Sequence, residues 1–209
     1  MKKLKVFLLV FSVLTVSLLF SSCTAKITAD EIAAVLPSLI DLSKPLNEIY
    51  FGEGFEVDGN ISNVAKNGGY FYCDTEKYGL NSILEIKEAS EKVFTAEYAA
   101  ILYEAAFEGT STDISVEGAR FIEGEMGLMQ KANSTVYEIC DREFDYGSIK
   151  VIKSTKDRAT VKINSVANGK EEPIEIIVVR YIDTFAPIVT DEGGKIVPTY
   201  YYRLDSPTY

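Results

Sequence analysis

The sequence predicts an α+β domain in which N-terminal helices pack on one face of a curved antiparallel β-sheet. Apolar residues between Thr28 and Gly109 recur at helical spacing. From Arg120 onward they follow the alternation of strands instead. Turn signals such as Asn168-Gly169 separate the predicted strands, and strands joined by short hairpins form an antiparallel meander. No internal repeat or interdomain linker is visible, so residues 28–209 are predicted to form one domain.

The first helix is predicted to begin after Thr28. Thr28 and Glu31 have the spacing of a capping box, and the apolar residues that follow fall on one helical face. Pro37 and Pro45 lie within this segment, and we expect them to kink or split it. Residues 51–69 are rich in glycine and are predicted to form a loop.

Two shorter helices are predicted further along the chain. Ser82 and Glu85 have the spacing of a second capping box. Thr95 is the expected N-cap of a third helix, which Gly109 closes. Between the loop and the second helix, the aromatic residues 70–73 are predicted to form a short strand.

The strands that follow Arg120 are predicted from alternation and from turn residues. The segment 174–182 is apolar on both parities, so we expect it to be a central strand. Turns are expected at residues 156–157, 168–169 and 192–195. The predicted strand segments are residues 121–129 (a strand pair or a bulged strand), 149–152, 159–164, 174–182 and 200–205.

The first 23 residues have the layout of an export signal. Three lysines precede an apolar run at residues 6–20, and small residues lead to Cys23. This order resembles the lipobox of bacterial lipoproteins, from which it departs at Phe20, where a smaller aliphatic residue is usual. The resemblance implies removal of residues 1–22 and a lipid on the thiol of Cys23. Residues 23–27 would then be a short tether that holds the domain at the extracytoplasmic face of the bacterial cell membrane.

Two other interpretations of this segment stay open. It could be an uncleaved membrane anchor, although the apolar run is shorter than the roughly 20 residues that a spanning helix needs. It could also be an ordinary secretory peptide that is cleaved after Ala25. We favour the lipoprotein because Cys23 directly follows the small residues Ser21 and Ser22.

Composition narrows the classes of function. Loss of residues 1–22 removes three lysines and no acid, so the net charge falls from −10 to −13. Such a chain is repelled by nucleic-acid phosphates and suits solubility or a basic protein partner. There is no histidine, which excludes Ser-His-Asp and Cys-His catalysis and removes the commonest metal ligand. We therefore predict no cofactor, no metal site and no catalytic residue.

Apart from Cys23, the cysteines are Cys73 and Cys140. Each ends a short aromatic or apolar run. Outside the cytoplasm they could form a disulfide, or they could be two buried free thiols that behave as small apolar residues.

Acidic side chains are concentrated in two places. Glu53, Glu56 and Asp58 lie in the glycine-rich loop, which lacks the calcium-binding EF-hand pattern and is predicted to be a partner-binding surface. Glu123 and Glu125 lie two residues apart, so on a regular strand they would share one face. Paired carboxylates of this kind could run glycoside hydrolysis, but a solvated strand face is the interpretation we favour.

Three consecutive tyrosines, Tyr200, Tyr201 and Tyr202, fall in the last predicted strand. Successive side chains of a strand point to opposite faces of the sheet, so we expect at least one of these tyrosines to be exposed. Exposed tyrosine beside acidic residues suits protein binding, whereas simple packing is the alternative.

Two family resemblances bear on the mature domain. Residues 202–207, Tyr-Arg-Leu-Asp-Ser-Pro, are similar to the last strand of many exported NTF2-like proteins, in which an aromatic residue precedes the arginine. This resemblance implies a cystatin-like or NTF2-like cone, with helices in the concavity of a bent sheet. Residues 49–55 followed by Asp58, together with residues 70–74, 86–95 and 120–124, resemble the DL-endopeptidase-inhibitor (IseA) family of Gram-positive bacteria. That likeness implies an acidic, non-catalytic domain that blocks cell-wall hydrolases.

Three functions from different classes follow from these observations. The first is a lipid-anchored binding module whose partner is a basic cell-wall hydrolase or another envelope protein. The second is a small-ligand binder that uses the pocket of an NTF2-like cone. The third, which we favour least, is a carboxylate-based hydrolase that uses Glu123 and Glu125.

Overall fold

The computed structural model describes residues 25–57, 68–109, 118–132, 142–194 and 196–209. Helix α1 (Ala29–Tyr50) opens the fold, and its 22 residues give it a length of about 33 Å. The predicted capping box is confirmed: the Glu31 backbone N–H donates to Thr28 Oγ1 over 3.2 Å, and the Thr28 N–H donates to Glu31 Oε2 over 2.6 Å.

Helix α1 is continuous through Pro37 and Pro45, so the expectation of a split helix is wrong. A proline removes a backbone N–H donor from the helix interior. The apolar face on both sides of the two prolines is nevertheless buried, and this packing outweighs the local penalty. The buried apolar residues of that face are Ile32, Leu36, Leu39, Ile40, Leu46, Ile49 and Tyr50.

The strands form two four-stranded sheets and a small ribbon. The first sheet has the order β1-β2-β4-β3 and the second the order β10-β7-β6-β5, while β8 pairs only with β9. All paired strands are antiparallel. The strands are β1 (Glu56–Val57), β2 (Tyr70–Asp74), β3 (Phe121–Gly124), β4 (Gly127–Lys131), β5 (Glu143–Ser154), β6 (Arg158–Ala167), β7 (Lys170–Ile182), β8 (Val189–Thr190), β9 (Ile196–Val197) and β10 (Tyr200–Leu204).

The predicted α+β class is confirmed, and the short strand predicted at residues 70–73 is present as β2, between α1 and α2. Strand β1 departs from the prediction, because it falls within residues 51–69, a segment predicted to be loop throughout. Its pairing depends on β2, a contact across sequence that the glycine pattern cannot report. The consecutive strands β5, β6 and β7 form the expected meander, with β7 central.

The predicted hairpin turn at residues 168–169 and the predicted N-caps of the two shorter helices are confirmed. Asn168 and Gly169 both have positive φ, 52° and 71°, as a tight hairpin turn between β6 and β7 requires. Helix α2 (Ile83–Val93) has Ser82 as its N-cap, and helix α3 (Ala96–Tyr103) has Thr95. A π-helical turn (Glu104–Glu108) continues α3 and ends at Gly109, whose φ of 67° lies in the left-handed region.

One hydrophobic core joins the helices to both sheets. Helix α1 packs on β5 and β10, and α2 packs on β10. Past β10 the chain follows α1: Thr208 Oγ1 accepts from Asn47 Nδ2 over 2.9 Å, and the Tyr209 ring lies 4.6 Å from that of Phe51. Within the described ranges, no helix is long and apolar enough to span a membrane.

Candidate protein-binding surface

Two buried polar side chains form hydrogen bonds with the backbone of the loop that follows α1. Arg120 Nη2 donates to the carbonyl oxygen of Gly52. Gln130 Nε2 donates to the carbonyl of Glu53 over 2.6 Å, while its Oε1 accepts from the Phe55 N–H over 2.9 Å. Arg120 is 1% exposed and Gln130 7% exposed. Residues 52–55 are therefore fixed through their own backbone groups, so the loop has a defined shape.

Gly54 makes this close approach possible. Its φ is +82°, and a Cβ at this position would lie 2.3 Å from Gln130 Oε1. The next residue, Phe55, is buried and packs edge-on against Tyr78 and Phe121, with ring centroids 5.2 Å and 5.8 Å away. Burial lowers the pKa of Arg120 to about 10, and the nearby Glu48 carboxylate acts in the opposite direction. The guanidinium thus keeps its charge at neutral pH.

Above this support the loop presents carboxylates to solvent. Glu53 and Glu56 are exposed, and Glu56 lies directly opposite Asp74 in the β1–β2 pair. Two like charges opposite each other across strands are destabilising. Tyr78, and after it the charges of Glu48 and Glu56, raise the pKa of the exposed Lys77. We call Glu48, Glu53, Glu56 and Asp74 the acidic loop surface; Asp58 lies outside the described residues.

The three tyrosines lie on β10 and pair with β7. Tyr201 is 38% exposed, and its ring stacks on that of Tyr181 at 5.1 Å. Tyr200 lies over the guanidinium of Arg180 at 4.4 Å. Tyr202 is partly buried, and its hydroxyl donates to Glu31 Oε1 over 3.0 Å. Intramolecular contacts therefore account for all three, and Tyr201 is the most exposed of them.

The structure does not bring the tyrosines and the loop acids together. Tyr202 contacts Glu31 in the first turn of α1, whereas the Glu53 N–H donates to Glu48 in its last turn. Those two positions are about 25 Å apart along the helix axis. The two sets of residues are separate surfaces at opposite ends of α1.

At the tyrosine end, Arg180 ties the chain that precedes α1 to the second sheet. Its Nη1 lies 2.8 Å from Glu31 Oε1, its Nη2 donates to the Ala25 carbonyl over 2.6 Å and its Nε donates to the Lys156 carbonyl over 2.9 Å. Arg180 is 6% exposed. The Ile27 N–H also donates to the carbonyl of Thr155 over 3.0 Å. Residues 25–27 are thus fixed to the β5–β6 turn.

This junction sets the charge state of Glu31. Burial alone would raise the pKa of its carboxyl. The hydrogen bonds that it accepts from Thr28, Tyr202 and Arg180 act in the opposite direction and lower that pKa below its ordinary value of 4.5. Glu31 is therefore ionised at neutral pH and remains the partner of Arg180.

The structure separates the two carboxylates that were considered as a catalytic pair. Glu123 lies on β3, and its Oε1 accepts from the backbone N–H of Ile83, the first residue of α2, over 2.7 Å. Glu125 lies in the turn after β3, because that strand ends at Gly124. The expectation that both share one strand face is therefore wrong, and Glu123 has a capping role.

Cys73 lies on β2 as a half-buried free thiol, and burial raises its pKa to about 12. Cys140 lies outside the described residues, as does the predicted lipidation site Cys23. The disulfide and the lipid therefore stay predictions.

Sequence reasoning does not single out the buried polar residues that shape both ends of α1. Arg120 and Gln130 support the acidic loop surface, and Arg180 fixes Ala25. The only signal for Arg180 is that it follows the four apolar residues 176–179 in a strand predicted to be central. Nothing in the pattern around Gln130 marks it as buried.

Comparison of the chain with protein-family models, with curated proteins and with solved structures finds no match. The contacts and charges of the described residues are therefore the basis for the function proposed next.

Proposed function

We propose that this chain is a lipid-anchored, non-catalytic binding module on the extracytoplasmic face of a bacterial cell membrane. It binds a basic envelope protein through the acidic loop surface. The observation that carries the proposal is the placement of the two ends of α1. Ala25, two residues after the proposed lipidated Cys23, is fixed at one end, and Glu53 lies at the other.

This placement suits a module that reaches away from a membrane. Helix α1 is about 33 Å long. With Ala25 next to the bilayer, the acidic loop surface stands well clear of the headgroups. A chain with a net charge of −10 would also be repelled by anionic lipids, and this favours an orientation that points its acids outward.

The loop also has the properties of a preorganised binding surface. Arg120 and Gln130 fix its backbone, so little conformational entropy is lost when a partner binds. The Glu56–Asp74 pair leaves two like charges opposed on the free surface. A cationic partner would relieve that repulsion and gain charge-assisted hydrogen bonds.

We further propose that the partner is a cell-wall DL-endopeptidase with a basic surface. Two of the segments that resemble the DL-endopeptidase-inhibitor family meet in this structure. Arg120 donates to Gly52, and Phe121 lies against Phe55. The residues that carry the likeness thus build the support of the acidic loop surface, which favours inhibition or modulation of such a hydrolase.

A charge-reversal experiment tests this function. The double variant Glu53→Lys/Glu56→Lys is compared with Glu91→Lys, an exposed acid on α2 outside the loop. Crosslinking pull-down from intact cells should recover a wall hydrolase with the wild type and with Glu91→Lys, and little with the double variant. The wild type and Glu91→Lys should also inhibit or otherwise change the activity of the purified hydrolase, and the double variant should have little effect on it. Equal recovery by all three proteins would rule out the acidic loop surface as the binding site.

A second candidate is a small-ligand binder with an NTF2-like or cystatin-like cone. A cleft of about 430 Å³, lined by Phe144, Ser165, Pro173 and several acids of β5 and β7, favours it. That volume lies in the range of small-molecule sites. A thermal-shift screen with small cationic compounds tests this function. A shift that Glu172→Gln removes would support it, and the absence of any shift across the screen would contradict it.

A further inference from the structure

An apolar ribbon extends from the second sheet, with most of its large side chains exposed to solvent. It consists of residues 182–194 and 196–197, between β7 and β10. A folded domain rarely exposes so many large apolar side chains in one stretch. Those side chains are Ile182 (55% exposed), Phe185 (98%), Ile188 (79%), Val189 (51%), Ile196 (62%) and Val197 (44%).

The apolar ribbon has its own internal hydrogen bonds. The Asp183 N–H donates to the carbonyl of Thr199 over 2.8 Å and closes the base of the ribbon. The Asp183 carboxylate accepts from the N–H groups of Phe185 and Ala186, at 3.0 Å and 3.1 Å. The pairing of β8 with β9 sets Val189 opposite Val197. A regular backbone therefore holds these apolar side chains in solvent.

The apolar ribbon leaves the sheet at the end where the tether enters. Arg180, which binds the Ala25 carbonyl, precedes Ile182 by two residues on β7. Ile182 is paired with Tyr200, whose ring covers the same guanidinium. Only Thr24 separates Ala25 from Cys23, and two residues of extended chain span about 7 Å. A lipid on Cys23 would thus place the bilayer beside the ribbon.

Cationic side chains lie at the same end of the domain. Lys26 and Lys156 are exposed, and a cleft of about 540 Å³ is lined by Lys156, Arg158 and Tyr200 among others. Arg158 pairs with Asp205, and Asp157 adds one acid to the cleft. In a chain that is acidic as a whole, this local cation pair of Lys26 and Lys156 complements lipid phosphates.

We propose that the apolar ribbon lies in the boundary between headgroups and acyl chains of the bilayer, as a second membrane contact beside the lipid anchor. The proposal rests on the lipidation of Cys23 put forward above. The acyl chains on Cys23 would anchor the chain but leave the domain free to rotate about its attachment point. The ribbon adds apolar surface beside that point and fixes which side of the domain faces the membrane.

The absence of tryptophan from the chain provides a direct test. Phe185→Trp places a unique fluorophore on the apolar ribbon, and Met126→Trp places one in the β3–β4 turn, where Met126 is 78% exposed. On strand β3, Glu123 caps α2 and Phe121 packs against Phe55. The Met126 control therefore lies near the C-terminal end of α1, away from Ala25. Each full-length protein is matured in a bacterial host and reconstituted in phosphatidylethanolamine–phosphatidylglycerol vesicles with brominated acyl chains. Mass spectrometry of its N-terminal peptide reports the lipid.

The proposal requires that the lipid is present, that Trp at 185 loses most of its emission and that Trp at 126 keeps its emission. Lipidated protein whose Trp at 185 keeps its emission overturns the ribbon contact and leaves the anchoring intact. Emission that is blue-shifted but unquenched by bromine would assign the ribbon to a second copy or to residues 6–20, and also overturns the contact. A protein without lipid that stays off the vesicles overturns both the anchoring and the contact.

Discussion

The guanidinium Nη2 of Arg180 donates to the carbonyl oxygen of Ala25 over 2.6 Å, which joins the central strand β7 to the chain just before α1. The same side chain binds Glu31 and the carbonyl of Lys156. One buried residue therefore links Ala25, the first helix and the β5–β6 turn.

Replacing Arg180 should destabilise the domain far more than replacing an exposed arginine. In Arg180→Ala, the carbonyls of Lys156 and Ala25 lose their buried donor and Glu31 loses its partner, so we expect a loss of about 2–4 kcal/mol. Arg158→Ala removes a half-exposed ion pair with Asp205 and should lose less than about 1 kcal/mol. Urea unfolding measures both. Equal losses would show that the junction contributes no more than a surface pair.

Gly54→Ala should weaken the support of the acidic loop surface. The left-handed φ alone costs about 1–2 kcal/mol for a residue with a Cβ. Displacement of Gln130 adds the loss of its bonds to Glu53 and Phe55, so the total should reach about 2–4 kcal/mol. Gly79→Ala is the matched control, because φ is +64° there and nothing lies within 4 Å of an added Cβ. Thermal unfolding of the two variants should separate strain from steric overlap, and identical shifts would exclude a role for Gln130.

The stability of the domain should depend on pH through Glu31. Its folded pKa lies below the ordinary value of 4.5, so the unfolded chain binds a proton more readily than the folded one. The contribution of this carboxylate is fully present above that value and is lost as pH falls through the folded pKa. Glu31→Gln should therefore differ most from the wild type at neutral pH and converge with it in acid. A difference in unfolding free energy that stays constant with pH would contradict this linkage.

Cys73 should be almost inert in the native protein. With a pKa of about 12 its thiolate is scarce at neutral pH, and we expect alkylation to be slower than in the unfolded chain by a factor on the order of 100. The variant Cys140→Ser isolates this thiol, and mass spectrometry counts the added groups. In the wild type, failure of unfolded Cys73 to react before a reductant is added would instead demonstrate the disulfide with Cys140.

Local signals in the sequence predict local structure well. The capping box of Thr28 and Glu31 and the Asn168-Gly169 hairpin depend on residues within four positions of each other, and both are confirmed. The division into two sheets depends on pairings such as β2 with β4, whose residues are far apart in the chain. No periodicity within one segment can report such a pairing.

The polar contacts of the site are harder to predict for the same reason. Arg180 meets Glu31 across 149 positions, and Gln130 meets Phe55 across 75. Pro37 and Pro45 each cost α1 a backbone hydrogen bond, as the sequence predicts. Burial of the apolar face of the helix outweighs that cost, and burial depends on the rest of the fold. Glu53 and Glu56 are exposed, as the sequence predicts. The sequence does not show that Arg120 and Gln130 hold the backbone of their loop.

The course of residues 206–209 beside α1 has a mechanical consequence. Tension applied between Ala25 and the loop after Tyr50 would act along the axis of α1. The contacts of Thr208 with Asn47 and of Tyr209 with Phe51 would then be loaded in shear, all at once, rather than peeled apart one after another. The packing of residues 206–209 alongside α1 thus opposes extension along the axis of this helix.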